Sequence, residues 1–583
     1  MQYEYLYNIE GMLETKSASG RTLLSYTYDK NNNIKSIKDI TGKSSIYNYD
    51  EADRVKLIQD DNQNNLAIYD YYKNDNIKSV TVGNGLKTDY TYDGDGNVQS
   101  LVTISSNGEV LIDYNYAYDL NGNRLKKISS KHKNFYSYDS MNRLIDSSYD
   151  GRKESFTYDK VGNRLTKTTN DITEKYVYNV KNQLKELHNN SGINHFTYDK
   201  QGNTIKEETS TGNNIFEYNT LNQQVKAITK DGNTLVSRYD AEGLRAEIEE
   251  NEKLTKFIFH KDNVLVEADK DFNVISRFTR GHEVVAADIA DSSEEINSAI
   301  EAKMNRYYYT VDEQGSTIFI TDKNQQVKNE YCYDAFGNVL NSKEDVHNRI
   351  TYTGQQFEGI TGQYYLRARF YNPVVGRFTQ EDIYRGDGLN LYAYCGNNPV
   401  IYYDPAGYER ECVNKSRSAA EEGANSNNIL NKPVVEWTDE ELQRATDSIH
   451  NAQYGGKWFG NKNPISVTVS SEGRVIVSKN NGVPGPKSRE MATNIFGDDA
   501  EFVRGGKKSN YQGTTAGPNH AEARGIQYML NNDISTEGSR QAVSHYSCND
   551  CAEKQIEHHI ENITGNARDN NNIISREYVE KLY

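Results

Sequence analysis

Apolar and polar positions alternate with a period of two along most of the first 340 residues, in short runs broken by Gly, Asn and Asp. Around Phe156-Thr157-Tyr158 the alternation suits a pleated, half-buried strand. Gly162-Asn163 then tolerates the positive φ of a tight turn, and Arg164-Leu165 opens a return strand. The Tyr closing a Tyr-x-Tyr or Phe-x-Tyr unit recurs at Tyr118, Tyr138, Tyr158, Tyr178, Tyr198 and Tyr218, a spacing of 20 residues held through six units. Looser copies stand at Tyr28, Tyr49 and Tyr92. A fixed period of this kind signals a repeat architecture, each unit a strand, a turn and a strand; one hairpin cannot bury its own face, so neighbours must stack.

The pattern changes after Tyr408. Ser416 to Leu430 is polar and rich in Ala, Glu and Asn, which predicts a linker over 409–435. Beyond it a helix is expected to start at Thr438, with Glu441 completing a capping box, and to run to about Ala452. Ile465–Val469 and Arg474–Ser478 read as a hairpin, Ala542–Tyr546 as a third strand, and Cys551–Ile563 as a closing helix. The expected fold class is therefore an all-β repeat unit to about residue 408 followed by an α/β domain over 436–583.

Composition sharpens this picture. The 45 Tyr against 8 Pro and 2 Trp favour many short strands. A net charge of −16 argues against the whole chain binding nucleic acid non-specifically. The polar start Met1-Gln2-Tyr3-Glu4-Tyr5 is not a signal peptide, and no run of about 20 apolar residues offers a membrane span. Five cysteines, Cys332, Cys395, Cys412, Cys548 and Cys551, are too sparse for a disulfide framework and give weight to metal binding by the one close pair.

The 20-residue Tyr-Asp units resemble the YD-repeat, or Rhs, proteins over residues 1–340, and the resemblance implies strands that spiral into a hollow shell; a flat β-solenoid used for surface binding is the alternative. The run Tyr364-Tyr365-Leu366-Arg367-Ala368-Arg369-Phe370-Tyr371-Asn372-Pro373, with Gly376-Arg377-Phe378 and Asn390-Leu391-Tyr392-Ala393-Tyr394-Cys395-Gly396-Asn397-Asn398-Pro399, is similar to the Rhs core-associated segment, here 341–408. It ends in Tyr403-Asp404-Pro405-Ala406-Gly407-Tyr408, where the resemblance implies self-cleavage between Tyr408 and Glu409 by Asp382 and Asp404. Two close carboxylates can share a proton and so divide into acid and base, with Arg377 expected to hold one of them ionised. Ile383 and Tyr408 depart from the family's usual Pro and Leu. The other reading makes Asp404-Pro405 a plain turn and Asp382 a solvated acid.

Near the C-terminus, His520-Ala521-Glu522 is followed by Cys548-Asn549-Asp550-Cys551. This pairing resembles the zinc nucleobase deaminases of the cytidine deaminase type, with a three-layer α/β/α fold. The resemblance implies that His520, Cys548 and Cys551 bind Zn²⁺ while Glu522 shuttles protons without touching the metal. Helix N-termini would favour the thiolates, and three protein ligands leave a fourth position for water. Ser547 stands where the family often has Pro, and His545, His558 and His559 are competing ligands. A structural zinc site and a redox dithiol are the alternatives.

Between Lys457 and Lys508 nine Lys or Arg face five Asp or Glu. With Lys507, Lys508, Trp458, Phe459 and Tyr511 this suits a nucleic acid or nucleotide substrate, cytosine in DNA or RNA first, adenine in RNA next. A solvated loop with core aromatics is the competing reading. The family arrangement implies a polymorphic bacterial toxin, secreted or delivered to a target cell. A cognate immunity protein and a delivery module, upstream or on a separate chain, are its implied partners. The rival classes are a YD-repeat adhesion scaffold with an inert tail and a nuclease toxin.

Overall fold

The computed structural model describes residues 3–290, 303–383 and 390–413 and, further on, short pieces between Leu442 and Ile574. The chain divides into two units, Met1–Glu421 and Glu422–Tyr583.

In the first unit 32 strands, from Tyr3–Tyr7 to Val339–Glu344, form one sheet in which each strand pairs antiparallel with the next in the chain. The repeat residues explain why. In the hairpin of Arg152–Tyr158 and Arg164–Thr169, Asp159 builds the turn. Its Oδ1 accepts the N–H groups of Val161 (3.0 Å) and Asn163 (2.8 Å), and its Oδ2 accepts the Asn163 amide (2.9 Å). Gly162 sits at φ 84°, where an L side chain would be strained. The Tyr performs the other half of the work: the Tyr158 hydroxyl donates to the Leu144 carbonyl of the preceding unit (2.8 Å). Tyr118, Tyr138 and Tyr178 repeat this on Val98, Arg124 and Arg164. Each such bond is worth only about 1 kcal/mol net, but it recurs along the ribbon.

At Tyr118, Tyr138, Tyr158, Tyr178, Tyr198 and Tyr218 the ladder slips register. Bulges raise the local twist, and one at the same place in each of these six hairpins curls the ribbon. The ribbon coils far enough to meet itself. Lys16 pairs with Glu242, Arg277 with Asp39, Arg306 with Asp60, and the Asn84 amide donates to the Asp322 carbonyl, all partners 226 to 246 residues apart. Apolar residues of the early strands, among them Leu24, Ile58 and Leu101, close a core with Val266, Ala286 and Phe319.

The segment after the ribbon carries a four-stranded sheet of Gln356–Glu358, Gln363–Leu366, Arg369–Asn372 and Arg377–Phe378. Its core is aromatic, with Tyr371 and Tyr394 stacked at 4.0 Å between Tyr352, Tyr364 and Phe378. This segment lies along the turn edge of the ribbon and contacts one repeat after another. Asn398 reaches Asn123 and Asn142, Asn397 reaches Gly162, Arg377 reaches Asn163 and Asn182, Tyr392 reaches Gly202, Gln380 reaches Asn222, and Glu358 pairs with Arg245.

Glu411–Cys412 pairs antiparallel with Tyr402–Tyr403, so the start of the segment expected as a linker is strand bound to the first unit. Among the described residues of 422–583, five strands form a mixed sheet. Ile465–Val469 pairs antiparallel with Val475–Lys479 and with Ser539–Val543; Ala500–Phe502 and Ile560–Asn562 flank them in parallel. The hairpin matches the sequence expectation, whereas the third strand begins and ends three residues earlier than expected. Ile560–Asn562, expected within the closing helix, is an edge strand of this sheet.

Candidate active site

Asp382 and Asp404 come together on one guanidinium. The strand Arg369–Asn372 runs antiparallel to Arg377–Phe378, with Tyr371 opposite Phe378 and Asn372 opposite Arg377. Continued by one residue, where the Thr379 N–H donates to the Phe370 carbonyl (2.9 Å), this register brings Arg369 to the level of Gln380 and so within reach of Asp382. Arg369 Nη2 lies 2.7 Å from Asp382 Oδ2 and 3.6 Å from Asp404 Oδ2. All three side chains are buried. The face of the guanidinium rests on the Phe378 ring at 3.6 Å, and its Nη1 donates to the Leu391 carbonyl (3.1 Å).

Arg377 is not the residue at this centre. Its guanidinium donates to Asn163 Oδ1 (3.2 Å), the Asn182 carbonyl (2.6 Å) and Asn390 Oδ1 (3.3 Å), and it lies over the Tyr178 ring. Its work is to clamp the segment onto two adjacent repeat turns. Nearness in sequence to Asp382 pointed to Arg377; counting the register across the Asn372–Arg377 turn would have pointed to Arg369.

Asp404 heads a tight loop. Its Oδ1 accepts N–H groups from Ala406 (3.2 Å), Gly407 (2.6 Å) and Tyr408 (3.2 Å), which leaves Oδ2, the oxygen facing Arg369, to carry a proton. Burial pushes the Asp404 carboxyl up to about 7; Arg369 and the backbone donors pull against that, and Asp382 adds to it. Arg369 Nε donates to the Gly407 carbonyl (2.5 Å), so one side chain holds both acids and the backbone one residue before Tyr408. Gly407 has φ 78°, and a β-carbon there would collide with the Leu366 carbonyl. The loop therefore closes on the Arg369 strand only with glycine at that position. Tyr408 is half-exposed at the rim. The candidate zinc and substrate residues His520, Glu522, Cys548, Cys551, Trp458, Tyr511, Lys507 and Lys508 lie outside the described residues.

A Teneurin YD-shell family model matches residues 127–400. Over that span the ribbon is similar to a Teneurin YD-shell. In the crystal structure of TcdB2-TccC3-Cdc42 a similar fold covers 69% of this chain and 23% of that one, with a TM-score of 0.58 and 18% identity. The tRNA nuclease WapA of Bacillus subtilis (strain 168) is 36% identical over 195 residues, 31% of this chain and 8% of WapA. Toxin protein Tse5 of Pseudomonas aeruginosa is 31% identical over 101 residues, 17% of this chain and 8% of Tse5. The chain thus spans less than a tenth of the length of either relative. Among its described residues no helix is long and apolar enough to cross a membrane.

Proposed function

We propose that this chain is a polymorphic bacterial toxin, secreted or delivered to a target cell, whose shell cuts itself between Tyr408 and Glu409 and releases residues 409–583 as the active part. The sharing of Arg369 by Asp382 and Asp404 carries the self-cleavage reading. Asp404, protonated up to about pH 7, is the acid, and Asp382, ion-paired to Arg369, is the base. Water adds across the peptide bond. Its proton passes to Asp382, Asp404 protonates the departing side, and the products are a carboxylate at Tyr408 and an amine at Glu409.

For the released part the reading is a zinc-dependent nucleobase deaminase, converting cytosine to uracil in DNA or RNA. His520, Cys548 and Cys551 would hold the metal, which when bound supplies water activation, and Glu522 would take and return the proton. A cognate immunity protein would protect the producing cell. The likeness to the tRNA nuclease WapA favours a second reading, a nuclease acting on tRNA.

One experiment separates these readings. The fragment that the full chain releases is incubated with tRNA, single-stranded DNA and duplex DNA, followed by sequencing and mass analysis. Cytosine-to-uracil change supports the deaminase, strand scission of tRNA supports the nuclease, and a chain that stays whole overturns self-cleavage.

A further inference from the structure

Gln380 stands where the candidate active site meets the repeat ribbon, and it is 2% exposed. Its Oε1 accepts the N–H of Phe370, the residue after Arg369 (2.9 Å). Its Nε2 donates to the carbonyl of Asn222, in the repeat turn after Tyr218 (2.5 Å). Two residues later the chain reaches Asp382, whose N–H is held by the Leu391 carbonyl (3.0 Å). The neighbouring Thr379 carbonyl accepts the Thr204 N–H from the previous repeat (2.8 Å). The strand bearing Arg369 and the segment leading to Asp382 are thus locked to each other and to the ribbon through one amide that uses both its donor and its acceptor.

We propose that Gln380 is a positioning residue for self-cleavage: it registers Arg369 against the two aspartates only when the repeat turn at Asn222 is formed, so that cutting is licensed by the folding of that turn. The inference rests on the self-cleavage reading and adds a dependence that reading does not contain. A buried amide with both ends satisfied fixes geometry strongly, and loss of either partner leaves a buried polar group without one. An error of about 1 Å in a catalytic group can slow a reaction about a hundredfold.

The test uses the full chain made by cell-free synthesis, moved into a series of buffers from pH 4 to 8, with cleavage timed on denaturing gels. Gln380→Met removes both hydrogen bonds at similar volume and is expected to slow cleavage ten- to a hundredfold at every pH. Gln380→Glu keeps an acceptor and, when protonated, a donor. Its rate relative to wild type is expected to match wild type in acid and to fall to the Gln380→Met level as the introduced carboxyl ionises. That pH-dependent rescue would not follow if Gln380 only filled space. Variants that both cut at wild-type rate, or a Gln380→Glu ratio that does not change with pH, overturn the proposal while leaving self-cleavage standing. A wild-type chain that never cuts overturns both.

Discussion

Asp404 ties the chemistry of the site to the stability of the shell. The carboxyl titrates near 3.9 in an unfolded chain and at about 7 in the fold, mainly because it is buried. The folded chain therefore binds this proton more tightly than the unfolded one. The contribution of this group to stability is greatest with Asp404 protonated, falls as pH climbs from about 4 to about 7, and is level above that. Each pH unit in that window changes the folding free energy by about 1.4 kcal/mol, for an upper bound of about 4 kcal/mol and a working value of 2–4 kcal/mol. Asp404→Asn keeps the Oδ1 acceptor for Ala406, Gly407 and Tyr408 but has no charge to bury. Its reference is Asp382→Asn, which is also expected to stay uncut and which retains Asp404; removing Asp382 takes away one of the lesser causes of the raised value and leaves burial in place. Unfolding entropy of about 2.1 cal/mol/K per residue, over a unit of this length, converts 2–4 kcal/mol to roughly 2–5 °C. Thermal melts at pH 4 and pH 8 should therefore show Asp404→Asn gaining about 2–5 °C on Asp382→Asn between the two. A difference that is the same at both pH values would refute the reasoning, because a burial cost on an ionised carboxylate must vanish when the carboxyl is protonated.

The assignment of the guanidinium is checked by two variants on the same gel: Arg369→Gln should reduce self-cleavage at least a hundredfold, whereas Arg377→Gln should keep it within about tenfold while raising protease sensitivity of residues 377–398. Tyr158→Phe deletes the bond to the Leu144 carbonyl and should cost about 1–2 kcal/mol in denaturant unfolding, with the same cost at Tyr138 and Tyr178 if the units are equivalent. Glu522→Ala should retain stoichiometric zinc in the released fragment and lose base conversion, whereas Cys548→Ala should lose the metal, as read by elemental analysis.

The ribbon was legible because its determinants are local. Tyr158, Asp159, Gly162 and Asn163 lie within six residues and satisfy one another within a hairpin or across to the next, so their spacing carries the structure directly. Asp382 and Asp404 were legible as a pair, and the structure brings both to one cation. The cation itself was misread, because proximity along the chain favoured Arg377 while antiparallel pairing selects Arg369 from the opposite strand. The coil of the ribbon was not legible either. Its contacts join residues 226 to 246 positions apart, such as Lys16 to Glu242 and Arg306 to Asp60, and no short-range pattern encodes that distance. Beyond Tyr408 the sequence offered a hairpin that the structure contains, while the zinc constellation remains an argument from residue types and spacing.

The comb of contacts between the segment after the ribbon and the turns at Asn123, Asn142, Gly162, Asn182, Gly202, Asn222 and Arg245 also constrains the number of repeats. A single 20-residue copy gained or lost inside this stretch would leave one tooth of the comb facing the wrong turn and would carry Glu242 past Lys16 on the neighbouring coil. Copy number there is fixed by two independent rulers, the comb along the turns and the pairing between neighbouring coils.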